Sequence, residues 1–252
     1  MSLTAAIIAR DEQAALPDCL RSVAFAQETL VLVDATTRDR TREVARSLGA
    51  RVEERVFDNF AAQRDAALQL ASGDWVLFVD ADERVPTDLR DEVVRTIAEP
   101  GGRRGFWIPR HNYLSGRIVR HAGWFPDYQL RLLERGAAHF DPLRVVHEVA
   151  LVDGPVGYLS EALVHYNYTS LGEFIVRQER YCALDAQRWL ATHGRPRRRA
   201  LVGQGVREFW RRFVTLEGYR EGLLGLALSA ILAYYASRAV YLARRRSTVS
   251  LT

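Results

Sequence analysis

The chain contains no lysine. All 35 of its basic residues are arginines, which removes a Schiff-base amine and the lysine that a Walker-type phosphate loop requires. Cysteine is nearly absent too. Cys19 and Cys182 make neither a disulfide framework nor a metal-ligand spacing, so a reducing compartment is expected. No G-x-G-x-x-G follows the first apolar run, which weighs against a dinucleotide-binding dehydrogenase. The start, Met1-Ser2-Leu3-Thr4, lacks the charged head, long apolar core and small-residue cleavage site of a secretory signal. In a cytosolic setting the Asn167-Tyr168-Thr169 sequon is expected to be fortuitous.

What is present suits one α/β domain, or one with an appendage: 252 residues, 48% of them hydrophobic. The net charge of +4 hides a division. From Arg195 onward there are 12 Arg and 3 Glu, whereas the preceding residues carry 23 Arg against 28 acidic side chains. An acidic body with a basic tail points to an anionic surface, either nucleic acid or phospholipid. The tail lacks aromatic residues interleaved for base stacking and fits no nucleic-acid motif, so no nucleic acid partner is expected.

The chain centres on Gly73-Asp74-Trp75-Val76-Leu77-Phe78-Val79-Asp80-Ala81-Asp82-Glu83. Its uninterrupted apolar run reads as a strand buried on both faces, and ligands of open α/β sheets bind outside the carboxyl ends of strands. Asp80 and Asp82 point the same way while the strand geometry lasts, so a positive group is expected near them. Hard oxygen ligands suit Mg²⁺ or Mn²⁺ carrying a phosphorylated substrate; the competing reading is a solvated acidic turn.

Upstream, strands are expected over 3–9, 29–33 and 51–55. Helices are expected over 14–25, from about 41 to Leu48 with Gly49 closing it, and over 60–71. This alternation predicts a β-α-β-α-β-α-β array with a mostly parallel sheet. Glu12, Asp34, Asp80 and Asp82 all fall at carboxyl ends of strands, and a cluster of carboxylates along one sheet edge needs a ligand or metal to satisfy it.

These segments, read together, resemble a family-2 glycosyltransferase of the GT-A fold: Arg10-Asp11-Glu12, Val31-Leu32-Val33-Asp34, Asn59 to Leu68, and Ser72 to Glu83. The stretches His121 to Asp127, Leu130-Arg131-Leu132, Val146-His147-Glu148 and His165-Tyr166 resemble the lipopolysaccharide-core glucosyltransferase subgroup. The resemblance implies that Ala9, Arg10 and Glu12 border the nucleotide base and that Asp34 holds base or ribose. It places Arg64 and Asp65 beside base and diphosphate, gives Asp80 to the ribose and the metal's water shell, and makes Asp82 the ligand of Mg²⁺ or Mn²⁺. Asp11-Glu12, Thr36-Thr37 and Arg64-Asp65 stand where relatives usually carry Asn-Glu, Gly-Ser and Arg-Asn, which bears on the choice of base rather than on the fold.

Segments 105–110, 117–121 and 128–133 read as further strands, in what would be the acceptor half. Inverting sugar transfer needs a base for the acceptor hydroxyl and a countercharge for the departing diphosphate. Asp127 is the candidate base, with Glu148 a rival. Trp124 either offers a flat face to a sugar or belongs to the core. Arg131 either faces the diphosphate or makes a structural ion pair, and His147 is a second candidate for the diphosphate or the metal.

Residues 171–190 read as a helix, and Pro196 with the arginines around it marks a break. The expected domains are therefore a GT-A catalytic domain over 1–194 (nucleotide-sugar half 1–100, acceptor half 101–169, helix 170–194) and a basic amphipathic helical tail over 195–252. In the tail, the apolar run from Leu223 to Tyr235 spans about 13 residues, short of the ~20 that cross a bilayer. It is read as an interfacial helix against anionic lipid, with a core helix as the competing reading. Gly218, Gly222 and Gly225 would permit close helix packing; a homo-oligomer is a separate expectation.

The leading expectation is a metal-dependent inverting glycosyltransferase using a nucleotide-diphospho-sugar, a UDP-sugar foremost. It would act on a lipid-linked glycan at the cytoplasmic face of the cell membrane. The alternative is a non-catalytic membrane-associated binding or scaffold module retaining the GT-A fold.

Overall fold

A computed structural model describes residues 1–141 and 149–249. In chain order the elements are β1 (Leu3–Ala9), α1 (Leu16–Ser22), β2 (Glu28–Asp34), α2 (Thr41–Ser47), β3 (Arg51–Arg55), α3 (Phe60–Leu70) and β4 (Trp75–Phe78). Then come β5 (Glu83–Arg84), α4 (Thr87–Ala98), β6 (Gly105–Ile108), β7 (Arg110–Leu114), β8 (Arg117–Val119), β9 (Gln129–Glu134) and β10 (Ala138–His139). β11 (Leu151–Val152), β12 (Val156–Tyr158), β13 (Leu163–Tyr168), α5 (Leu171–His193), α6 (Arg198–Trp210) and α7 (Leu223–Val249) complete the chain.

Two compact units emerge. The first comprises Met1–His111 and Asp127–His165, the second Asn112–Pro126 and Tyr166–Thr252. The boundary expected after residue 194 is corrected by packing: α5 buries Phe174 and Cys182 in apolar clusters that also hold Leu228, Tyr235 and Ala239 of α7. Helix 170–194 therefore belongs with the tail.

The first unit is built on a seven-stranded sheet in the order β12-β6-β9-β4-β1-β2-β3. Its pairings are parallel except the two made by β9, which lies antiparallel between β6 and β4. The sheet is thus mixed. Side chains alternate across β1: Leu3, Ala5, Ile7 and Ala9 pack with α1 and α4, while Ala6 packs with α3 on the other face. Both faces are covered, which explains the unbroken apolar runs. Gly73 lets the chain enter β4, since a Cβ there would lie 2.7 Å from the Thr4 backbone nitrogen.

In the second unit β7 and β8 form a hairpin, and α5, α6 and α7 pack around the apolar clusters. The C-terminal helix is longer than expected. It runs 27 residues, because Arg238 does not end it: the guanidinium pairs with Glu179 of α5 and donates to Tyr234 Oη at 3.3 Å. Leu223–Arg246 is long and apolar enough to cross a membrane by length and composition alone, with 39% of its most apolar stretch buried in protein. Gly225 packs on the turn before the helix, where a Cβ would fall 1.8 Å from the Gly218 carbonyl oxygen. The close packing anticipated from Gly218 and Gly225 is made within the chain, whereas a Cβ at Gly222 would meet nothing within 4 Å.

Candidate active site

The first feature of the site is a cavity of about 270 Å³ at the carboxyl ends of β1 and β2, lined by Ile8, Ala9, Arg10, Glu12, Asp34, Phe57, Phe60 and Gln63. Four of the residues assigned to the nucleotide by resemblance meet here. Asp34 is buried, and its Oδ1 accepts the Thr36 N–H at 2.9 Å. Its Oδ2 is buried without a full hydrogen bond, with Arg10 Nη1 3.6 Å away. The Thr36 N–H, above all, holds this carboxyl below its ordinary range against the opposing effect of burial, and Arg10 adds to the lowering. A buried anionic oxygen without a full partner, in a cavity wall, is an acceptor suited to a ligand N–H or O–H. Phe57 and Phe60 meet edge to face, centroids 5.0 Å apart, beside it.

The second feature is a chain of alternating charges. Arg64 Nη2 donates to Asp80 Oδ1 at 3.2 Å, and Arg131 clamps both oxygens of Asp80, Nη1 to Oδ1 at 3.1 Å. Arg131 Nη2 also reaches Glu83 Oε1 at 3.2 Å, where Arg110 Nη1 donates at 3.0 Å. Arg110 then forks onto Asp127 Oδ2 through Nε at 3.0 Å and Nη2 at 2.7 Å, and Gln129 Nε2 donates to Oδ1 at 2.9 Å. Glu83 is the hub. It is fully buried, and its Oε2 accepts the Asp80 N–H at 2.9 Å. Burial raises the Asp80 pKa, but Arg131 and Arg64 outweigh it and hold the carboxyl well below the usual range. The positive group expected beside the two aspartates is thus Arg131, which makes the ion pair that is one of its two expected roles. It is buried, at 3% exposure.

The third feature is Asp82. The strand ends at Phe78, and the turn that follows separates the aspartates: Asp80 is engaged by arginine, while Asp82 is 33% exposed with His165 Nε2 3.4 Å from its Oδ2. The expectation that both point the same way applies only while the strand lasts, and the strand ends before Asp80. His165 is held there by the antiparallel pairing of β13 with β5, which sets it opposite Glu83.

The donor set decides what cation fits. Among the described residues no three or more His, Cys, Asp or Glu side chains converge as a cage. One exposed carboxylate with an imidazole at hand suits a Mg²⁺ or Mn²⁺ held by one or two protein groups, with water and substrate phosphates completing its shell.

The remaining assignments separate. Asp65 Oδ1 accepts the Phe140 N–H at 2.9 Å and Oδ2 accepts Gln69 Nε2 at 2.7 Å, so the structure uses it to tie α3 to the segment after β10. Trp124 is corrected to a core residue: its ring packs against Tyr168 and Phe174 in the second unit and offers no open face. His147 and Glu148 lie outside the described residues. Sequence reasoning missed Glu83, Arg110, His165, Phe57, Phe60 and Gln63 as site residues. Glu83 carried a signal, as the third carboxylate in four positions. Arg110 sat at the end of an apolar strand, as Asp34 did.

An α/β fold with a mixed sheet, a cavity at its carboxyl edge and an Asp-x-Asp turn has the architecture of a GT-A glycosyltransferase. Residues 4–145 match the glycosyl transferase family 2 model, and the chain belongs to that family. It is 28% identical over 242 residues to the lipopolysaccharide core biosynthesis glycosyltransferase LpsC of Rhizobium meliloti (strain 1021), covering 94% of this chain and 89% of that one. An uncharacterized glycosyltransferase of Rickettsia bellii is 24% identical, covering 92% and 82%. Among solved structures, S. aureus TarS 1-349 in complex with UDP superposes with a TM-score of 0.50 at 15% identity, covering 96% of this chain and 91% of that one; the likeness is one of fold.

Proposed function

We propose that this enzyme transfers a sugar, with inversion, from a UDP-sugar to a lipid-linked glycan such as a lipopolysaccharide core, at the cytoplasmic face of the cell membrane. The observation that carries the proposal is the cavity at Asp34, whose Oδ2 is an acceptor for the base or ribose. Ala9, Arg10 and Glu12 border the base, with Phe57 and Phe60 at its rim. UDP in the TarS crystals and the lipopolysaccharide role of LpsC support the choice of donor and acceptor.

Asp82 is the cation ligand, with His165 orienting it. A bound Mg²⁺ or Mn²⁺ supplies countercharge for the departing diphosphate. Asp80 serves the ribose less directly than the resemblance implies: Oδ1 already takes two hydrogen bonds, and only Oδ2 retains a free lone-pair direction. Asp127 takes the acceptor proton, its carboxylate oriented by Arg110 and Gln129.

Titrating UDP with and without Mn²⁺, and following sugar transfer from a panel of UDP-sugars, tests the reading. Asp82→Ala should cut turnover on the order of a thousandfold, the equivalent of several kcal/mol of lost charge stabilisation, at an unchanged melting temperature. Asp127→Asn should cut turnover while sparing UDP affinity. Absence of UDP binding by the wild type would refute the proposal, and full turnover by Asp127→Asn would move the base elsewhere.

A further inference from the structure

Helices α6 and α7 lie side by side in antiparallel fashion within the second unit. Gly205 permits the approach: a Cβ there would meet Ser237 Oγ at 2.3 Å and the Ala233 carbonyl at 3.1 Å. Along the outer side of α6, Val202, Val206 and Trp210 recur every four residues at 71, 63 and 62% exposure, the spacing of one helical face. On α7 the exposed apolar residues also fall on one face, namely Leu223, Leu226, Tyr234 and Tyr241. A groove between the two helices joins Val202 and Val206 to Tyr234 and Tyr241. Exposed apolar area of this kind, contiguous over two helices, is unusual for a surface facing water.

At one end of the groove the exposed charge is positive. Arg244 Nη1 donates to the Pro196 carbonyl at 2.7 Å, which brings the arginines at the start of α6 to those at the end of α7. Arg195, Arg197, Arg199, Arg245 and Arg246 are all exposed at this end. The three acidic residues of the segment are already engaged. Glu208 is bound by Arg211 and Arg212, Glu221 is buried, and Glu217 pairs with Arg220.

The geometry points to an anionic phospholipid bilayer as the occupant of this face, with α6 and α7 lying in the interface and the arginine end against phosphate headgroups. The inference rests on the membrane-facing part of the proposed function, and it moves the contact from α7 alone to the α6–α7 pair. Apolar stripes with a cationic rim match the layering of acyl boundary and headgroups. A membrane-spanning α7 fits less well. Its other sides are packed on α5 and α6, and a span would carry the Arg238–Glu179 pair into hydrocarbon.

The test is co-sedimentation of the full chain with vesicles of equal phosphatidylglycerol and phosphatidylcholine, against vesicles of phosphatidylcholine alone. Wild type should partition at least tenfold better onto the anionic vesicles, and 0.5 M salt should weaken that binding. Val202→Glu with Val206→Glu, both at the surface, should lower it at least tenfold at an unchanged melting temperature. Wild-type tryptophan emission should shift to the blue on binding, and Trp210→Phe should remove that shift. Undiminished vesicle binding by the double glutamate variant overturns the inference. So does a wild-type dimer by light scattering that this variant splits without loss of vesicle binding, since the face then seats a second copy. UDP titration on the same samples separates the two readings: vesicle binding without UDP binding breaks the proposed sugar transfer alone, and UDP binding without vesicle binding breaks this inference and leaves the proposed sugar transfer standing.

Discussion

The two units solve the problem of a polar interior in opposite ways. The first gathers charge inside and neutralises it in sequence, Arg64–Asp80–Arg131–Glu83–Arg110–Asp127, around a hub with no solvent exposure. The second keeps its centre apolar, with Trp124, Tyr168, Phe174 and Leu228 in contact, and leaves large apolar side chains on its surface. The difference teaches that a buried ionic chain is a positioning device. It fixes Asp127 and the Asp80 turn through shared arginines, at a cost in desolvation that an apolar core avoids. Among its described residues the second unit buries the lone carboxylate Glu221 rather than a chain of ion pairs, and it leaves large apolar residues on the surface.

The comparison breaks most visibly at Glu83. Glu83→Ala leaves Arg110 and Arg131 sharing two carboxylates in a dry setting, and should cost about 3–5 kcal/mol, a fall of roughly 10 °C in melting temperature for a chain of this size. A melting temperature within a degree or two of wild type would show that the network is not needed for stability. Next in size is the apolar unit. Gly225→Ala drives a methyl into the Gly218 carbonyl and should cost about 1–3 kcal/mol, with UDP affinity unchanged; a matching loss of UDP affinity would show the units to be coupled. Smallest is the response to acid. Glu28 accepts from Thr4, Ser72 and Arg51, and although burial alone would raise its pKa, these bonds lower it from the ordinary 4.5 to about 2. Its contribution is therefore complete above about pH 4.5 and disappears as pH falls through 2. Roughly 1–2 kcal/mol should go with it, given solvent screening. Glu28→Gln should flatten that part of the stability curve, and a variant with the wild-type acid slope would contradict the assignment.

Much of the first unit was legible because its signals are local. The strand at 51–55 falls on β3, and the expected strands 3–9 and 29–33 fall on β1 and β2 to within a residue. The insertion of β9 between β6 and β4 was not, since antiparallel pairing across more than fifty residues leaves no periodicity in either segment. The carboxylate set was visible as residue types, but the partition of Asp80 to arginine and Asp82 to His165 depends on a turn after Phe78 that an apolar run does not announce. Trp124 failed as a sugar platform for a related reason: aromatic residues suit cores and sugar sites alike, and only its neighbours Tyr168 and Phe174 decide. The α4 helix was overlooked although Leu89, Val93 and Ile97 recur every four residues, the spacing that buries them.

Glu221 sits in the turn before α7, more than ninety residues downstream of the loop it holds. Its Oε1 accepts the backbone N–H groups of Arg120 and His121, at 3.0 and 3.1 Å, and lies 2.8 Å from His121 Nδ1, while Arg212 donates to the Ala122 carbonyl at 2.8 Å. The last fifth of the chain is therefore sewn into the loop at residues 120–122 of its own unit. A protein shortened at Arg195 would not be the same enzyme with its address label removed. It would be a chain without the side chains that hold residues 120–122, and the question of where it resides in the cell would arrive already mixed with the question of whether it still folds.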